Sequence, residues 1–181
     1  EKNMAACMEQ KQKELYHAHA QRLALMLQNQ TEEEFADSRF QVLSELTRLR
    51  QLCCDPALVY ENYEGGSAKL DLCIELIQSA VESGHKILLF SQFTSMIEIL
   101  TARLQEESIS CFVLQGSTKK EQRAQMVEQF NRDDTSVFCI SLKAGGTGLN
   151  LTGADIVIHY DPWWNVAVEN QATDRAHRIG P

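Results

Sequence analysis

An α/β fold, a parallel sheet flanked by helices with a helical segment ahead of it, is what this sequence predicts, and three observations carry it. After the joint Glu64-Gly65-Gly66-Ser67, short apolar runs rich in β-branched and aromatic residues alternate with amphipathic stretches, the βαβ pattern. The runs are near-continuous in apolar character rather than alternating, as strands covered on both faces are. Ahead of the joint, Glu1 to Leu52 contains no proline or glycine and repeats apolar residues at helical spacing.

In the helical segment, Leu15, Leu23 and Leu27, then Phe40, Leu43, Leu46 and Leu49, mark the apolar side. Thr31-Glu32-Glu33-Glu34 reads as a break and a fresh N-cap with acids in the first turn, so one long helix is followed by another. Asp55-Pro56 ends the second helix. The change of pattern near residue 65 separates a helical part, 1–64, from a sheet-bearing part, 65–181. The second part opens with a helix from about Ser67 to Ser83, and Gly84 supplies its left-handed C′ position. Strands are expected at Ile87 to Phe90, Cys111 to Leu114, Val137 to Ile140 and Ile156 to His159. Helices are expected at about Thr94 to Glu107, Thr118 to Asn131 and Val166 to Arg178. In open parallel sheets, ligands gather at the carboxyl ends of the strands. Polar turns follow all four strands here: Ser91-Gln92, Gln115-Gly116-Ser117-Thr118, Ser141 to Gly148, and Asp161 to Asn165.

A hydrophobic content of 44% over 181 residues is enough for one domain, or one domain with an appendage. No apolar run approaches the roughly 20 residues of a membrane helix, and the start, Glu1-Lys2-Asn3, has neither a basic n-region nor an apolar h-region. The chain begins without methionine and stops just after a motif, so it reads as part of something longer. Six cysteines show no Cys-x-x-Cys spacing and no histidine at finger spacing, which points to reduced thiols in a reducing compartment and to no metal site. Cys139, in the run Val137 to Ile140, reads as a small core hydrophobe. His159 and His177 lack partners that would make a catalytic constellation. A net charge of -8 leaves any nucleic-acid contact to a local patch. Lys119, Lys120 and Arg123 with Lys143 form one candidate, with a solvated helix face the alternative for the first three.

Four segments carry possible chemistry. Arg175 and Arg178, three apart behind Gln171, share one helix face and could meet a polyanion together. A guanidinium forks onto two phosphate oxygens and stabilises charge on a transferred phosphoryl group; ion pairing with Asp174 or Glu169 is the plainer use. Ser141-Leu142-Lys143-Ala144-Gly145-Gly146-Thr147-Gly148 is a glycine-rich loop through which backbone amides can approach phosphate. It is neither the Walker pattern nor the dinucleotide fingerprint, and a tight structural turn also explains it. Gln115-Gly116-Ser117-Thr118 runs into a helix whose N-terminus could seat a phosphate, with Ser117 or Thr118 as its cap. Trp163-Trp164 after Asp161-Pro162 either braces a loop or stacks in a groove.

Taken together these segments resemble the second RecA-like lobe of the Snf2 family of superfamily 2 helicase-like ATPases. Lys86 to Phe93 is similar to helicase motif IV, Leu114 to Thr118 to the short motif after it, Ser141 to Leu151 to motif V, Asp161 to Asn165 to the aromatic loop, and Gln171 to Gly180 to motif VI. The resemblance implies a RecA-like parallel sheet, with residues 1–64 as the helical protrusion inserted between the family's two lobes. It implies that Arg175 and Arg178 are arginine fingers reaching ATP held mainly, with Mg2+, by a first lobe, with Gln171, Gly146 and Gly148 near the nucleotide. Ser91, Gln92, Gly116, Ser117, Thr118, Ser141 and Lys143 would face the DNA backbone, where contacts carry little sequence information.

The implied partners are double-stranded DNA, the N-terminal RecA-like lobe of the same protein and protein-DNA complexes, with no membrane. The implied location is intracellular: cytoplasm or nucleoid in a bacterium, nucleus in a eukaryote. Val166 stands where the family has proline, and Pro181 where glutamine follows Ile-Gly. The family's first lobe, with its Walker lysine and metal-binding acids, is not in this sequence, so the chain alone is expected to be inactive in ATP hydrolysis. Three other readings are an RNA helicase, whose motif VI would read His-Arg-x-Gly-Arg, an inert lobe serving as a docking platform, and a self-contained Rossmann-type enzyme using the Gly145 to Gly148 loop.

Overall fold

A computed structural model describes residues 8, 10–28, 30–142 and 149–161. The chain divides into two compact units, Glu1–Leu72 and Cys73–Pro181.

In the first unit, α1 (Gln10–Gln28) and α2 (Glu32–Cys54) are joined at the break expected from Thr31. Thr31 Oγ1 accepts from the Glu34 amide at 3.3 Å and the Glu34 carboxylate accepts from the Thr31 amide at 3.0 Å, a reciprocal capping box that satisfies two donors. Asp55, in extended backbone before Pro56, ends α2. Ser67, the expected start of the next helix, donates to the Cys54 carbonyl at 2.8 Å and accepts from the Leu70 amide at 3.3 Å, capping α3 (Ala68–Glu82).

The apolar side read from the sequence is only partly the one these two helices bury: Leu23 is buried and Leu15, Leu46 and Leu49 are half-buried, but the rest face outward. Phe40 is 77% exposed, Leu43 46% and Leu27 41%, whereas Gln12, His19 and Glu45 are buried beside Leu23, Val42 and Leu52. Two antiparallel helices cover only a narrow seam of each other, and long polar side chains enter it when they find partners there. Gln12 Nε2 donates to the Leu52 carbonyl at 2.7 Å in the last turn of α2. His19 shares a 2.6 Å hydrogen bond with the Tyr60 hydroxyl and lies 3.7 Å from Glu45, which also meets Arg48 at 3.3 Å.

In the second unit the strands are β1 (Ile87–Ser91), β2 (Cys111–Leu114), β3 (Val137–Ser141) and β4 (Ile156–His159), with α4 (Thr94–Glu106) and α5 (Lys120–Arg132) between them. The sheet has four strands in the order β2-β3-β1-β4, and each neighbouring pair is parallel, as the sequence predicts. The central strands β1 and β3 are buried at every position, because helices cover both faces. On one face Leu88, Phe90, Phe138 and Ile140 pack with Phe130 of α5 and with Leu149 and Leu151. Phe130 and Phe138 meet edge to face, with centroids 5.2 Å apart. The alternate residues Ile87, Leu89, Val137 and Cys139 point to the other side, where Met96, Ile97, Leu100 and Leu104 of α4 are fully buried.

Helix ends are made by local backbone chemistry. α3 closes through Gly84 (φ +84), with Gly84 N to Val81 O at 3.0 Å and His85 N to Ala80 O at 3.0 Å, the paired bonds of a Schellman motif. α4 closes the same way, but through Ser108 at φ +57. The Ser108 amide meets the Gln105 carbonyl at 3.0 Å and the Ile109 amide the Leu104 carbonyl at 2.9 Å. The described cysteines, Cys53, Cys54, Cys73, Cys111 and Cys139, are free thiols. The Cys139 thiol is pushed up by its hydrogen bond to Cys111 and by burial, so it stays protonated as a core residue. No helix among the described residues is long and apolar enough to cross a membrane.

The amino edge of the sheet is tied off by side chains. Lys86 reaches the end of α5, donating to the carbonyls of Phe130 and, at 2.7 Å, Asp133, with its ammonium 4.2 Å from the centroid of the Phe130 ring, a cation placed at a helix C-terminus. Asn131 donates to the Asn150 carbonyl at 2.8 Å and accepts from the Gly153 amide at 2.8 Å, so α5 holds the segment leading into β4. Asp155 accepts from the Lys86 amide at 2.9 Å and pairs with His85 at 2.6 Å. Burial is the largest single influence on the Asp155 carboxyl and pushes its pKa up, but the bonds from His85 and the Lys86 amide together outweigh it and the net shift is downward.

Three outcomes follow from these contacts. A Cβ at Gly153 would stand 2.9 Å from Asn131 Cα and 3.2 Å from the Phe130 carbonyl; Gly153→Ala should therefore cost about 1–3 kcal/mol of stability in chemical denaturation. Ser108→Gly relieves a left-handed residue and should raise stability by up to about 1 kcal/mol in the same measurement. Because Asp155 has a lowered folded pKa, its contribution is present above the ordinary carboxylate value of 3.8 and is lost as pH falls through the folded value. Asp155→Asn should thus flatten the acid limb of the stability curve, read as urea midpoint against pH.

Candidate functional site

Parallel pairing brings the polar turns to one edge by construction. The last full row of the ladder is Leu114, Ile140, Phe90 and His159, and the residues that follow, Gln115, Ser141, Ser91 and Tyr160, begin the carboxyl edge. His159 is half-buried and stacked on Phe90 with centroids 5.3 Å apart. Of the residues expected at the site, Ser91, Gln92, Gly116, Ser117, Thr118 and Ser141 are described and share this edge. Lys143, Gly146, Gly148, Gln171, Arg175 and Arg178 lie outside the described residues, as do Trp163, Trp164 and the helix expected from Val166.

Ser91 and Ser141 stand side by side in register and are both buried. The Ser91 hydroxyl donates to the Asp161 carboxylate and accepts from the Phe93 amide at 3.1 Å. The other Asp161 oxygen accepts from the Gln92 amide at 2.9 Å, and the Ser91 carbonyl receives the Leu142 amide at 3.0 Å. Asp161, 2% exposed, thereby organises the turn from β1 into α4, in which Gln92 is half-buried. As a hydrogen-bonding residue Asp161 went unsingled in the sequence, where it reads only as the first residue of the aromatic loop. The available signal was an acid at the end of an apolar strand, directly before proline.

Beyond β2, Gly116 and Ser117 are exposed, and a Cβ on Gly116 would meet nothing within 4 Å, so the tip of this turn is open to a large ligand. Its base is rigid. The Thr118 amide meets the Gln115 carbonyl at 3.1 Å, and the Gln115 amide meets Thr118 Oγ1 at 3.1 Å. Arg123 donates to the Thr118 carbonyl at 3.2 Å and toward the Gln115 carbonyl at 3.5 Å. Two expectations change here. Neither Ser117 nor Thr118 caps α5, which starts at Lys120 behind Lys119 with no side-chain cap, because the Thr118 hydroxyl is turned back to close its own loop. Arg123, expected in a basic patch, braces the turn, while Lys119 and Lys120 remain exposed.

The edge therefore offers exposed backbone at a glycine turn, two ammonium groups, and a glutamine on an ordered loop. These groups suit an extended polyanion better than a small apolar molecule. No group of three or more His, Cys, Asp or Glu side chains able to hold a metal occurs among the described residues.

The model of the helicase conserved C-terminal domain family matches residues 68–180. An uncharacterized ATP-dependent helicase of Mycoplasma pneumoniae is 44% identical over 147 residues, which is 79% of this chain and 14% of that protein, so the chain spans only a small part of its relative's length. The C-terminal domain of the SWI2/SNF2 ATPase of Sulfolobus solfataricus superposes with a TM-score of 0.81 at 32% identity, over 93% of this chain and 75% of that one. The core of the same ATPase in complex with dsDNA superposes with a TM-score of 0.82 at 30% identity, over 98% of this chain and 37% of that one. The fold, the order of motifs along it and these likenesses agree: the chain belongs to the helicase conserved C-terminal domain family, as the C-terminal RecA-like lobe of a Snf2-family superfamily 2 ATPase.

Proposed function

We propose that this chain is the second motor lobe of an ATP-dependent double-stranded DNA translocase that remodels chromatin or other protein-DNA complexes. The observation that supports this most directly is the carboxyl edge itself. Its exposed Gly116-Ser117 turn, Gln92 and the lysines at the start of α5 gather on a fold that superposes on an ATPase core solved with dsDNA.

In this reading DNA is gripped by its phosphates. Gln92, Gly116, Ser117 and Thr118 contact the backbone, joined by Lys143 and by Lys119 and Lys120. Ser91 and Ser141, whose side chains are buried, act by shaping the loops that follow them. Gln171, Arg175 and Arg178 face the nucleotide, with Gly146 and Gly148 beside it; the arginines stabilise charge on the transferred phosphoryl group. ATP and Mg2+ supply the phosphoryl-transfer chemistry when bound, and they are held mainly by the N-terminal RecA-like lobe of the same protein. Closure of the two lobes and their reopening would move the duplex grip along the backbone. Such a motor works where the genome is, in the bacterial nucleoid or the eukaryotic nucleus.

The test is ATP hydrolysis by the full-length protein with no nucleic acid, duplex DNA, single-stranded DNA and RNA, for the wild type and Arg178→Ala. Duplex DNA should stimulate the wild type most, and the substitution should lower the stimulated rate by about 10³-fold or more, as loss of an arginine finger does. Hydrolysis indifferent to duplex DNA would sink the translocase reading, and no hydrolysis under any condition would point to a docking platform.

A further inference from the structure

Asp161 is a buried carboxylate at an edge otherwise suited to binding phosphate. Left with free charge, it would repel a polyanion; here it is 2% exposed and both oxygens are engaged. One takes the Ser91 hydroxyl, and the other the Gln92 amide at 2.9 Å. Ser91 passes the order one residue further by accepting from the Phe93 amide at 3.1 Å. Phe93 is the N-cap residue of α4 and brings no side-chain cap of its own. Three consecutive residues at the end of β1 thus take their conformation from one carboxylate just past the carboxyl end of β4. Pro162 follows Asp161 and disfavours helical backbone at the residue before it.

We propose that Asp161 is a positioning residue for duplex DNA: it fixes the Ser91-Gln92-Phe93 turn so that Gln92 is held ready for a backbone phosphate rather than ordered only after the duplex arrives. Preorganisation of this kind changes affinity for the duplex more than the rate once the duplex is bound. The inference rests on the translocase reading above. Charge itself is not what the turn needs. It needs an acceptor for the Gln92 amide, which the carboxamide of asparagine also offers.

The experiment measures duplex-stimulated ATP hydrolysis by the full-length protein as a function of duplex concentration, for the wild type, Asp161→Ala, Asp161→Asn and Ser91→Ala. Asp161→Ala removes the acceptors of both the Gln92 amide and the Ser91 hydroxyl and should raise the half-saturating duplex concentration about tenfold, with the saturated rate kept within about twofold, the net scale of one to two hydrogen bonds. Asp161→Asn should return the half-saturating concentration to within about threefold of wild type, because the acceptor is restored. Ser91→Ala, a substitution that leaves no cavity larger than a hydroxyl, should raise it about threefold and keeps the proposal open to failure if Asp161→Ala does not fold. A merely structural role would lower the saturated rate in step with the folded fraction and leave the half-saturating concentration unchanged, which would overturn the proposal. A wild type that duplex DNA does not stimulate would sink the translocase reading and this inference with it. A stimulated wild type with unshifted variants would sink this inference alone.

Discussion

The architecture of the second unit depends on the burial of β1 and β3 on both faces. Every residue of these two strands is enclosed, which requires α4 on one side and α5 on the other. A strand enclosed in this way cannot present a working side chain from its middle. Chemistry is confined to where the strands end, and because all pairings are parallel, the four carboxyl ends share one edge. The site is therefore a consequence of the same apolar runs that make the core.

The two edges of the sheet solve different problems. At the amino edge, Lys86, Asn131 and Asp155 bond mainly to backbone groups of neighbouring segments, tying α5 and the entry to β4 against the sheet. At the carboxyl edge the same device supports exposed turns. Arg123 holds carbonyls at the base of the Gln115 to Thr118 turn, and Asp161 holds amide and hydroxyl donors at the end of β1. A phosphate backbone is contacted through many weak, nearly identical bonds, so its grip depends on how little each loop must reorganise. Bracing the base of a turn while leaving its tip open meets that need.

The strands, the parallel sheet and the helix ends at Thr31, Ser67 and Gly84 were legible because each follows from a local rule: an apolar run, a capping pattern, a glycine after a helix. The seam between α1 and α2 was not. Its burial of Gln12, His19 and Glu45 depends on partners 26 to 41 residues away, and periodicity of apolar residues carries no trace of such pairings. Phe40 and Leu43 misled for the same reason, since helical spacing says which residues share a face and not which face finds a partner. At the carboxyl edge, the location of Ser91, Gln92 and Gly116 to Thr118 could be read from strand ends, but the roles of side chains could not. Thr118 closes its own turn instead of capping α5, and Asp161 acts across 70 residues of sequence; both are facts of tertiary geometry.

A chain with a net charge of -8 is an unpromising partner for DNA until the range of the charges is considered. At physiological ionic strength, exposed charges are screened beyond about 8 Å, so acids far from the carboxyl edge contribute little to the potential that a bound phosphate feels. Beside the Gly116-Ser117 turn, Lys119 and Lys120 are exposed together with Glu121, and Asp161 is shielded by its donors. Some of the remaining acids pair with cations at their own locations: Asp133 with Lys86 and Glu128 with Arg132. What a polyanion meets is set by the sign and exposure of the few groups near it: at the start of α5 two exposed lysines outnumber the exposed Glu121, while Asp161 is turned inward to order the backbone.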